Sequence, residues 1–250
     1  LANFVDHDLS LLTTVPINEW DGSLKSKAQI KDIQIEDLLP RDPININMYE
    51  IAANIQGKRI MVTGAAGSIG SEIVRQVASF NPNSIVLIDQ AETPLHDLQL
   101  ELNDKWKTLK TDIVVANVNN QSRMDKVFSK TRPHYIFHAA AYKHVPMMEL
   151  NVSEAIQTNI LGTKVISDLA VKYNANKFVM VSTDKAVNPS NVMGCSKRIC
   201  EIYVQSLSKH IEKNKNNKTQ FITTRFGNVL GSNGSVIPLF KEQIKHGGPV

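Results

Sequence analysis

The sequence of 250 residues has only two cysteines, Cys195 and Cys200, and its aromatic residues make up 6% of the chain. Cysteines five positions apart do not face each other on a helix, so a disulfide framework is excluded and a reducing compartment is favoured. No apolar run approaches the roughly 20 residues of a membrane-spanning helix. The lysine-rich segment 209–218 lacks interleaved aromatic side chains, which argues against a nucleic-acid partner.

The residues that are present are typical of a globular protein, with 42% hydrophobic residues, 21% charged residues and a formal net charge of +4. This composition supports one sizeable core with an appendage. Residues 1–50 have short-lived apolar periodicity and contain Pro16, Pro40 and Pro43. They are predicted to form an arm or linker, and residues 51–250 the folded domain. Because the chain lacks an initial methionine and ends in a loop-like Gly-Gly-Pro-Val, we expect a piece of a longer protein.

Short apolar runs alternate with amphipathic stretches from residue 58 onward. Strands are predicted over 58–63, 84–88, 112–116, 135–138, 177–182 and 219–225, and helices over 71–80, 92–104, 121–130, 151–173, 193–214 and 236–245. This alternation, with right-handed crossovers, predicts the α/β class and a doubly wound parallel sheet of the Rossmann type. The segment 142–149 is predicted to be a loop.

A glycine-rich turn, GAAGSIG over 64–70, joins the first strand to the first helix. Its glycines let backbone N–H groups approach a pyrophosphate, and the helix N-terminus adds a partial positive charge. Asp89 ends the second strand, 19 residues after Gly70, where a carboxylate can accept hydrogen bonds from a ribose. The pattern predicts dinucleotide binding. Asp89 would repel a 2′-phosphate, and Gln90 stands where an arginine would favour one, so NAD is predicted over NADP.

Two other strand ends add candidate cofactor contacts. Asn117 and Val118 follow the third strand, and three alanines follow the fourth, where small side chains let a ligand approach the backbone. Tight packing without a ligand is the alternative for the alanines. The residues predicted to bind the cofactor in this part of the chain are Gly64, Gly67, Ser68, Ile69, Gly70, Asp89, Asn117, Val118, Ala139, Ala140 and Ala141.

A dense polar group, Ser182, Thr183, Asp184 and Lys185, stands where the fifth strand should end. Open α/β sheets place their chemistry at the carboxyl ends of parallel strands. An adjacent acid and lysine can act as general acid and general base, provided that a turn aims both the same way, because neighbours on an extended strand point in opposite directions. The alternative is an ordinary surface ion pair.

Five segments carry a resemblance to a known family: GAAGSIGSE, HAAAYKHVPMME, STDKAVNP, MGCSK and RFGNVLGSNGSVIP. Together they resemble the nucleoside-diphosphate-sugar 4,6-dehydratases of the extended short-chain dehydrogenase/reductase superfamily. More narrowly, they resemble the polysaccharide-biosynthesis branch that acts on UDP-N-acetylglucosamine. The resemblance covers about residues 31–250. It implies a largely missing substrate lobe and a homo-oligomeric parent anchored at the cytoplasmic face of the bacterial inner membrane.

The resemblance also implies a redox-neutral reaction on a UDP-sugar. In such enzymes NAD+ takes hydride from sugar C4, the ketone acidifies the C5 proton, the 6-hydroxyl leaves as water and hydride returns to C6. In this sequence Asp184 would be the acid for the 6-hydroxyl, if burial raises its pKa. Lys185 would be the C5 base, if burial or the nicotinamide charge lowers its pKa. Thr183 binds the C4 oxygen, and Lys197 binds the nicotinamide ribose.

One departure from the superfamily pattern is Met193, at the position where a tyrosine usually precedes Lys197 by four residues. Methionine cannot transfer a proton, although the large members that the chain resembles carry it too. The base for the C4 hydroxyl therefore stays open between Lys185 and a water relayed by Thr183 or Asp184.

Four further residues are candidate substrate contacts: Lys143, His144, Asn228 and Ser235. For Lys143 and His144 the alternative is a solvated loop position. The histidines lack the spacing of metal ligands, so no metal is predicted. Two other functions stay open: a UDP-sugar 4-epimerase, which needs no acid–base pair at C5 and C6, and a non-catalytic NAD-binding regulatory domain.

Overall fold

The computed structural model describes residues 12–14, 30–32, 47–213, 217–227, 229, 240, 242–244 and 246–249. The chain divides into two units, residues 1–47 and 48–250. In the first unit, strands β1 (Leu12–Thr14) and β2 (Ile30–Asp32) pair antiparallel. The role of residues 1–50 as an arm stays a prediction.

The second unit begins with helix α1 (Met48–Ile55) and continues as alternating strands and helices. The strands are β3 (Arg59–Thr63), β4 (Ser84–Asp89), β5 (Thr111–Val115), β6 (Tyr135–His138), β7 (Lys177–Thr183) and β8 (Gln220–Phe226). The helices are α2 (Ser68–Ala78), α3 (Glu92–Lys105), α4 (Gln121–Thr131), α5 (Val145–Leu150), α6 (Val152–Glu154), α7 (Gly162–Lys172) and α8 (Val192–Lys213). Each predicted strand therefore matches an observed one to within a residue at either end. Within the described ranges, no helix is long and apolar enough to cross a membrane.

The six strands of this unit form one parallel sheet in the order β5-β4-β3-β6-β7-β8. The chain builds outward from β3 through β4 to β5, and then returns to the other side of β3 with β6. This reversal opens a crevice at the carboxyl ends of β3 and β6, where doubly wound folds bind their ligands. The predicted doubly wound parallel sheet is confirmed.

Both faces of the sheet are covered, as the continuous apolar strands require. On β3, Ile60 and Val62 pack into the cluster that contains Val74 of α2 and Leu95 of α3. Met61, between them, belongs to the opposite cluster with residues of α4, α7 and α8. Alternate side chains of β3 thus pack on opposite faces of the sheet, and the strand is buried on both sides. This burial fixes the position of the glycine-rich turn that follows it.

Two predictions about the region after β6 were wrong. The segment 142–149 is not all loop, because α5 begins at Val145 with Pro146 in its first turn, where a proline costs no hydrogen bond. The predicted continuous helix over 151–173 is interrupted by a π-helix, Ala155–Leu161, between α6 and α7. The wider π turn shifts the helical phase, and Ile156 within it is 45% exposed. The predicted helix over 236–245 lies largely outside the described residues.

Candidate active site

The glycine-rich turn depends on two of its glycines for packing. Gly64 has a left-handed φ of +67°, and a Cβ there would stand 2.6 Å from the backbone nitrogen of Ala140. A Cβ on Gly70 would stand 1.9 Å from the carbonyl oxygen of Gly64. Gly67 caps α2 without a side chain and is exposed. The turn thus leaves backbone at the start of α2 accessible to an anionic ligand.

Asp89 fastens this turn to the end of β4. One carboxylate oxygen accepts a hydrogen bond from the backbone N–H of Ala66 at 2.9 Å, and the other accepts one from Ala91 at 3.0 Å. Each oxygen keeps a further lone pair, so the carboxylate can still accept from ribose hydroxyls. Asp89 therefore combines a structural contact with the ligand contact predicted for it.

A cleft of about 230 Å³ opens at the crevice between β3 and β6. It is lined by Gly64, Ala66, Gly67, Asp89, Gln90, Ala91, Ala116, Asn117, Val118, Ala139, Ala140, Ala141, Tyr142 and Thr158. Eight of the predicted cofactor residues are among them; Ser68, Ile69, Gly70 and Lys197 are not. Sequence reasoning missed two of the lining residues, Tyr142 and Thr158. Tyr142 could have been found from its position directly after the three alanines.

The lining suits a dinucleotide. Small residues and backbone surround the glycine turn, while Asp89 and Asn117 supply polar groups on the side of β4 and β5. Thr158, on the π-helix, is 5% exposed, and its hydroxyl has no hydrogen-bond partner among the described residues. A buried polar group without a partner is costly and is typical of ligand sites. The residues present therefore fit a ribose- and phosphate-bearing cofactor.

Asn159, the next residue on the π-helix, holds the wall of this cleft against α8. Its side-chain oxygen accepts from the backbone N–H of Tyr142 at 2.8 Å, and its nitrogen donates to the Tyr142 carbonyl at 3.1 Å. The same nitrogen donates to the hydroxyl of Ser196 at 2.9 Å. The segment after β6 is thus tied to the helix that carries Lys197.

The predicted acid–base group stands where β7 ends. A 3₁₀ turn, Asp184–Ala186, follows Thr183 and brings the side chains of Asp184 and Lys185 to the same side. The Lys185 ammonium donates to Asp184 Oδ1 at 3.1 Å, and the Thr183 hydroxyl donates to the same oxygen at 2.9 Å. None of these three residues lines the cleft, but β7 is the strand next to β6.

The expectation that burial raises the pKa of Asp184 was wrong. Hydrogen bonds from Thr183 and then Lys185 lower the pKa of this carboxyl. Its side chain is 56% exposed, so desolvation is too small to oppose them. Asp184 is therefore a carboxylate at neutral pH in the described structure.

Met193 and Lys197 both lie on the buried face of α8. Met193 packs in an apolar cluster with Met148 and Ala155, so this position carries no proton-transfer group. Lys197 is 5% exposed, and its desolvation lowers the pKa of the ammonium, opposed by the nearby Cys200 and Glu201. Lys197 is thus a buried lysine whose charged form is disfavoured by desolvation.

His138, at the end of β6, is fully buried between two hydroxyls. Its Nδ1 lies 2.7 Å from Thr63 Oγ1, and its Nε2 lies 2.9 Å from Thr163 Oγ1. Burial, reinforced by the charge of Lys197, lowers the pKa of His138 to about 3. The ring is therefore neutral and joins β3, β6 and α7. Across the described ranges, no three His, Cys, Asp or Glu residues form a group that could hold a metal.

Glu201, one turn after Lys197 on α8, was missed by sequence reasoning although its i,i+4 spacing from that lysine was visible. Its fully buried carboxylate accepts hydrogen bonds from Ser182 at 2.8 Å and from Arg225 at 2.8 and 2.7 Å, and Arg198 donates at 3.1 Å. Burial alone would raise the pKa of Glu201, but these bonds outweigh it and lower the pKa to about 2. The carboxylate thereby fixes α8 to the ends of β7 and β8.

The candidate substrate residues are only partly described. Lys143 and His144 are exposed and directly precede α5, which places them beyond the cleft wall formed by Tyr142. Asn228 and Ser235 lie outside the described residues. Cys195 is exposed and Cys200 is buried, and neither forms a disulfide, in agreement with the sequence expectation.

Residues 60–250 match the sequence profile of a family described as polysaccharide biosynthesis protein. The chain belongs to this family. Among relatives, the capsular polysaccharide biosynthesis protein CapD of Staphylococcus aureus is 50% identical over 222 residues, which are 88% of this chain and 36% of CapD. The chain therefore spans little more than a third of the length of that relative.

Two further relatives of this chain are named by their reactions. A UDP-glucose 4-epimerase of Rickettsia canadensis is 37% identical over 194 residues, 76% of this chain and 54% of the relative. An inverting UDP-N-acetylglucosamine 4,6-dehydratase of Campylobacter jejuni is 34% identical over 193 residues, 76% of this chain and 55% of the relative. The relatives of this chain thus include nucleotide-sugar enzymes of both kinds.

A crystal structure of Pen from Bacillus thuringiensis shares the fold of this chain. It superposes with a TM-score of 0.70 at 33% identity and covers 76% of this chain and 58% of Pen. The doubly wound sheet is therefore found in an experimental relative.

Proposed function

We propose that this chain is the dinucleotide-binding and acid–base part of a nucleotide-sugar 4,6-dehydratase that uses NAD and acts on UDP-N-acetylglucosamine. The observation that supports this most directly is the contact between Asp184 and Lys185 at the end of β7, one strand from the alanine wall of the cleft. Elimination of water across C5 and C6 needs an acid and a base together. Epimerisation at C4 needs neither at these carbons.

NAD, when bound, would supply the hydride acceptor for C4 and the hydride donor for C6. The cleft residues Asp89 and Asn117 would hold its adenosine half, and the alanines after β6 would border its nicotinamide ribose. Lys197, buried on α8, would bind the nicotinamide ribose. Thr183 would bind the C4 oxygen of the sugar.

Asp184 and Lys185 share a hydrogen bond, and this determines how they would divide the proton transfers. The carboxylate of Asp184 is ionised, so the shared proton starts on Lys185. The shared proton first moves from Lys185 to Asp184, which leaves a neutral amine beside a carboxylic acid. Lys185 then takes the C5 proton while Asp184 protonates the departing 6-hydroxyl, so the C5–H electrons form the C5=C6 bond as the C6–O bond breaks and water leaves. The pair thereby returns to an ammonium and a carboxylate. The base for the C4 hydroxyl stays open between Lys185 and a water relayed by Thr183 or Asp184, because Met193 is apolar.

The test of this function is mass spectrometry of UDP-N-acetylglucosamine after incubation with the full-length protein in deuterated water. We expect a product that has lost one water and that carries deuterium at C5. A product of unchanged mass with inverted C4 would establish the epimerase, which the identity to the Rickettsia enzyme favours as a second candidate. Cofactor binding with no change in the sugar would establish a regulatory domain.

The cofactor preference gives a separate prediction. We expect NAD to bind at least about tenfold more tightly than NADP, because the Asp89 carboxylate stands where a 2′-phosphate would lie and like charges repel. Titration of the purified protein with each cofactor measures the ratio of the two dissociation constants. Asp89→Asn should bring this ratio closer to one. Tighter binding of NADP by the unaltered protein would contradict the assignment.

The resemblance to large family members leads to two further proposals about the parent protein. We propose that it is anchored at the cytoplasmic face of a bacterial inner membrane and assembles as a homo-oligomer. Fractionation of cells that express the full-length protein, followed by light scattering of the purified material, tests both.

A further inference from the structure

Three side chains form a hydrogen-bonded chain across the cleft. The Asn117 amide donates to Gln90 Oε1 at 3.1 Å, and the Gln90 amide donates to the hydroxyl of Tyr142 at 2.9 Å. Asn117 follows β5, Gln90 follows β4, and Tyr142 lies beyond the end of β6. We refer to these three residues as the strap.

The sheet order dictates where the strap runs. Because β3 lies between β4 and β6, the bond from Gln90 to Tyr142 passes over the end of β3. The glycine-rich turn begins there, at Gly64. The strap therefore crosses the line along which a dinucleotide would extend from the side of β4 to the side of β6.

Burial distinguishes the strap from the floor of the cleft. Gln90 is exposed and Tyr142 is half-buried, whereas the lining residues Val118 and Thr158 are buried. All of them border the same cleft. The strap thus lies on the solvent side, where it would cover a ligand and not support it from below.

The two ends of the strap are fixed more firmly than its middle. Asn159 binds both backbone groups of Tyr142, and Asn117 Oδ1 accepts from the backbone N–H of Asn119 at 3.1 Å. Gln90 contributes an exposed side chain, and hydrogen bonds made at the surface are weak because water competes for them. The strap can therefore open at Gln90 while both ends keep their places.

We propose that the strap closes over the bound dinucleotide and slows its release. The Tyr142 hydroxyl accepts the bond from Gln90, so its own proton is left to donate to a phosphate or ribose oxygen beneath it. The inference rests on the proposed function, because a reaction that removes a hydride and returns it to the same sugar fails if the reduced cofactor leaves between the two steps. A strap on the solvent side would keep the reduced cofactor in the cleft between the two hydride transfers.

The test measures the release of radiolabelled NAD after addition of excess unlabelled NAD to the purified protein. Tyr142→Phe and Gln90→Ala should each speed release by about 5- to 10-fold, since each removes at least one strap hydrogen bond. The double variant should release NAD more slowly than the product of the two single effects, because both changes break the same Gln90–Tyr142 bond. Matched controls are Gln76→Ala and Tyr173→Phe, which remove a glutamine and a tyrosine hydrogen bond away from the cleft and should release NAD at the unaltered rate.

The outcomes separate the strap from the proposed function. If the unaltered protein binds NAD and the strap variants release it at the same rate, the strap proposal is wrong and the proposed function stands. Fully additive effects in the double variant would also overturn the strap, as would faster association without faster release. If the unaltered protein binds no NAD, both proposals fail. Thermal unfolding of each variant verifies that the fold is kept.

Discussion

Replacement of Lys185 by alanine should abolish turnover of UDP-N-acetylglucosamine while NAD still binds. The lysine is the proposed source of the proton for the leaving hydroxyl and the acceptor of the C5 proton, and each such role is worth about 10²- to 10⁴-fold. We expect kcat to fall by at least about 10³-fold. NAD affinity should stay within about twofold of the unaltered value, because Lys185 does not border the cleft.

Two companion variants make this result specific. Asp184→Asn keeps the shape of the side chain but cannot pass a proton, and it should lose activity to a similar degree. Lys164→Ala removes a lysine that pairs with Asp168 at 2.6 Å on α7, and it should leave kcat unchanged. Turnover by Lys185→Ala at the unaltered rate would refute the assignment of the acid–base pair.

Replacement of Gly64 by alanine should strongly destabilise the protein and weaken NAD binding. Gly57 and Gly64 have nearly equal left-handed φ values, +69° and +67°, but only Gly64 is packed against another segment. A Cβ on Gly57 meets nothing within 4 Å among the described residues, so Gly57→Ala should cost about 1 to 2 kcal/mol from backbone strain alone. Gly64→Ala should cost about 3 to 5 kcal/mol, because its Cβ would collide with the backbone of Ala139 and Ala140.

Denaturant unfolding of the two variants measures this difference directly. Backbone strain is common to both variants. The additional loss of unfolding free energy in Gly64→Ala therefore measures the cost of placing a Cβ against Ala139 and Ala140. NAD titration of Gly64→Ala, performed where the variant is folded, should show weaker binding than that of Gly57→Ala. Equal losses of stability would show that the tight contact at Gly64 relaxes without cost.

The sequence predicted the sheet because the information is local. Each strand is a short apolar run bounded by turn residues, and the run before Gly64 is recognisable without any partner strand. The glycine turn and Asp89 were found for the same reason, since their spacing along the chain reflects one strand, one helix and a second strand. Together with the predicted residues after β5 and β6, they account for eight of the fourteen residues that line the cleft.

The features that the sequence did not predict depend on contacts between distant parts of the chain. Gln90 and Tyr142 are 52 positions apart, and nothing near either residue indicates that their side chains meet. The pKa of Asp184 was misjudged because exposure at a strand end is decided by the surrounding segments and not by the residue's neighbours in sequence. The π-helix escaped detection because apolar spacing across it still suggested an ordinary helix.

The buried carboxylate of Glu201 has a consequence for the kinetics as a function of pH. Because its pKa is about 2 instead of the ordinary 4.5, its ion pair stabilises the fold fully above pH 4.5 and loses that contribution as the pH falls toward 2. From about pH 5 upward the carboxylate that joins α8 to the ends of β7 and β8 does not change its charge. An inflection in the plot of kcat against pH above pH 5 therefore reports the ionisation of groups that act on the sugar or the cofactor. It does not report a loss of the contacts between Glu201 and the ends of β7 and β8.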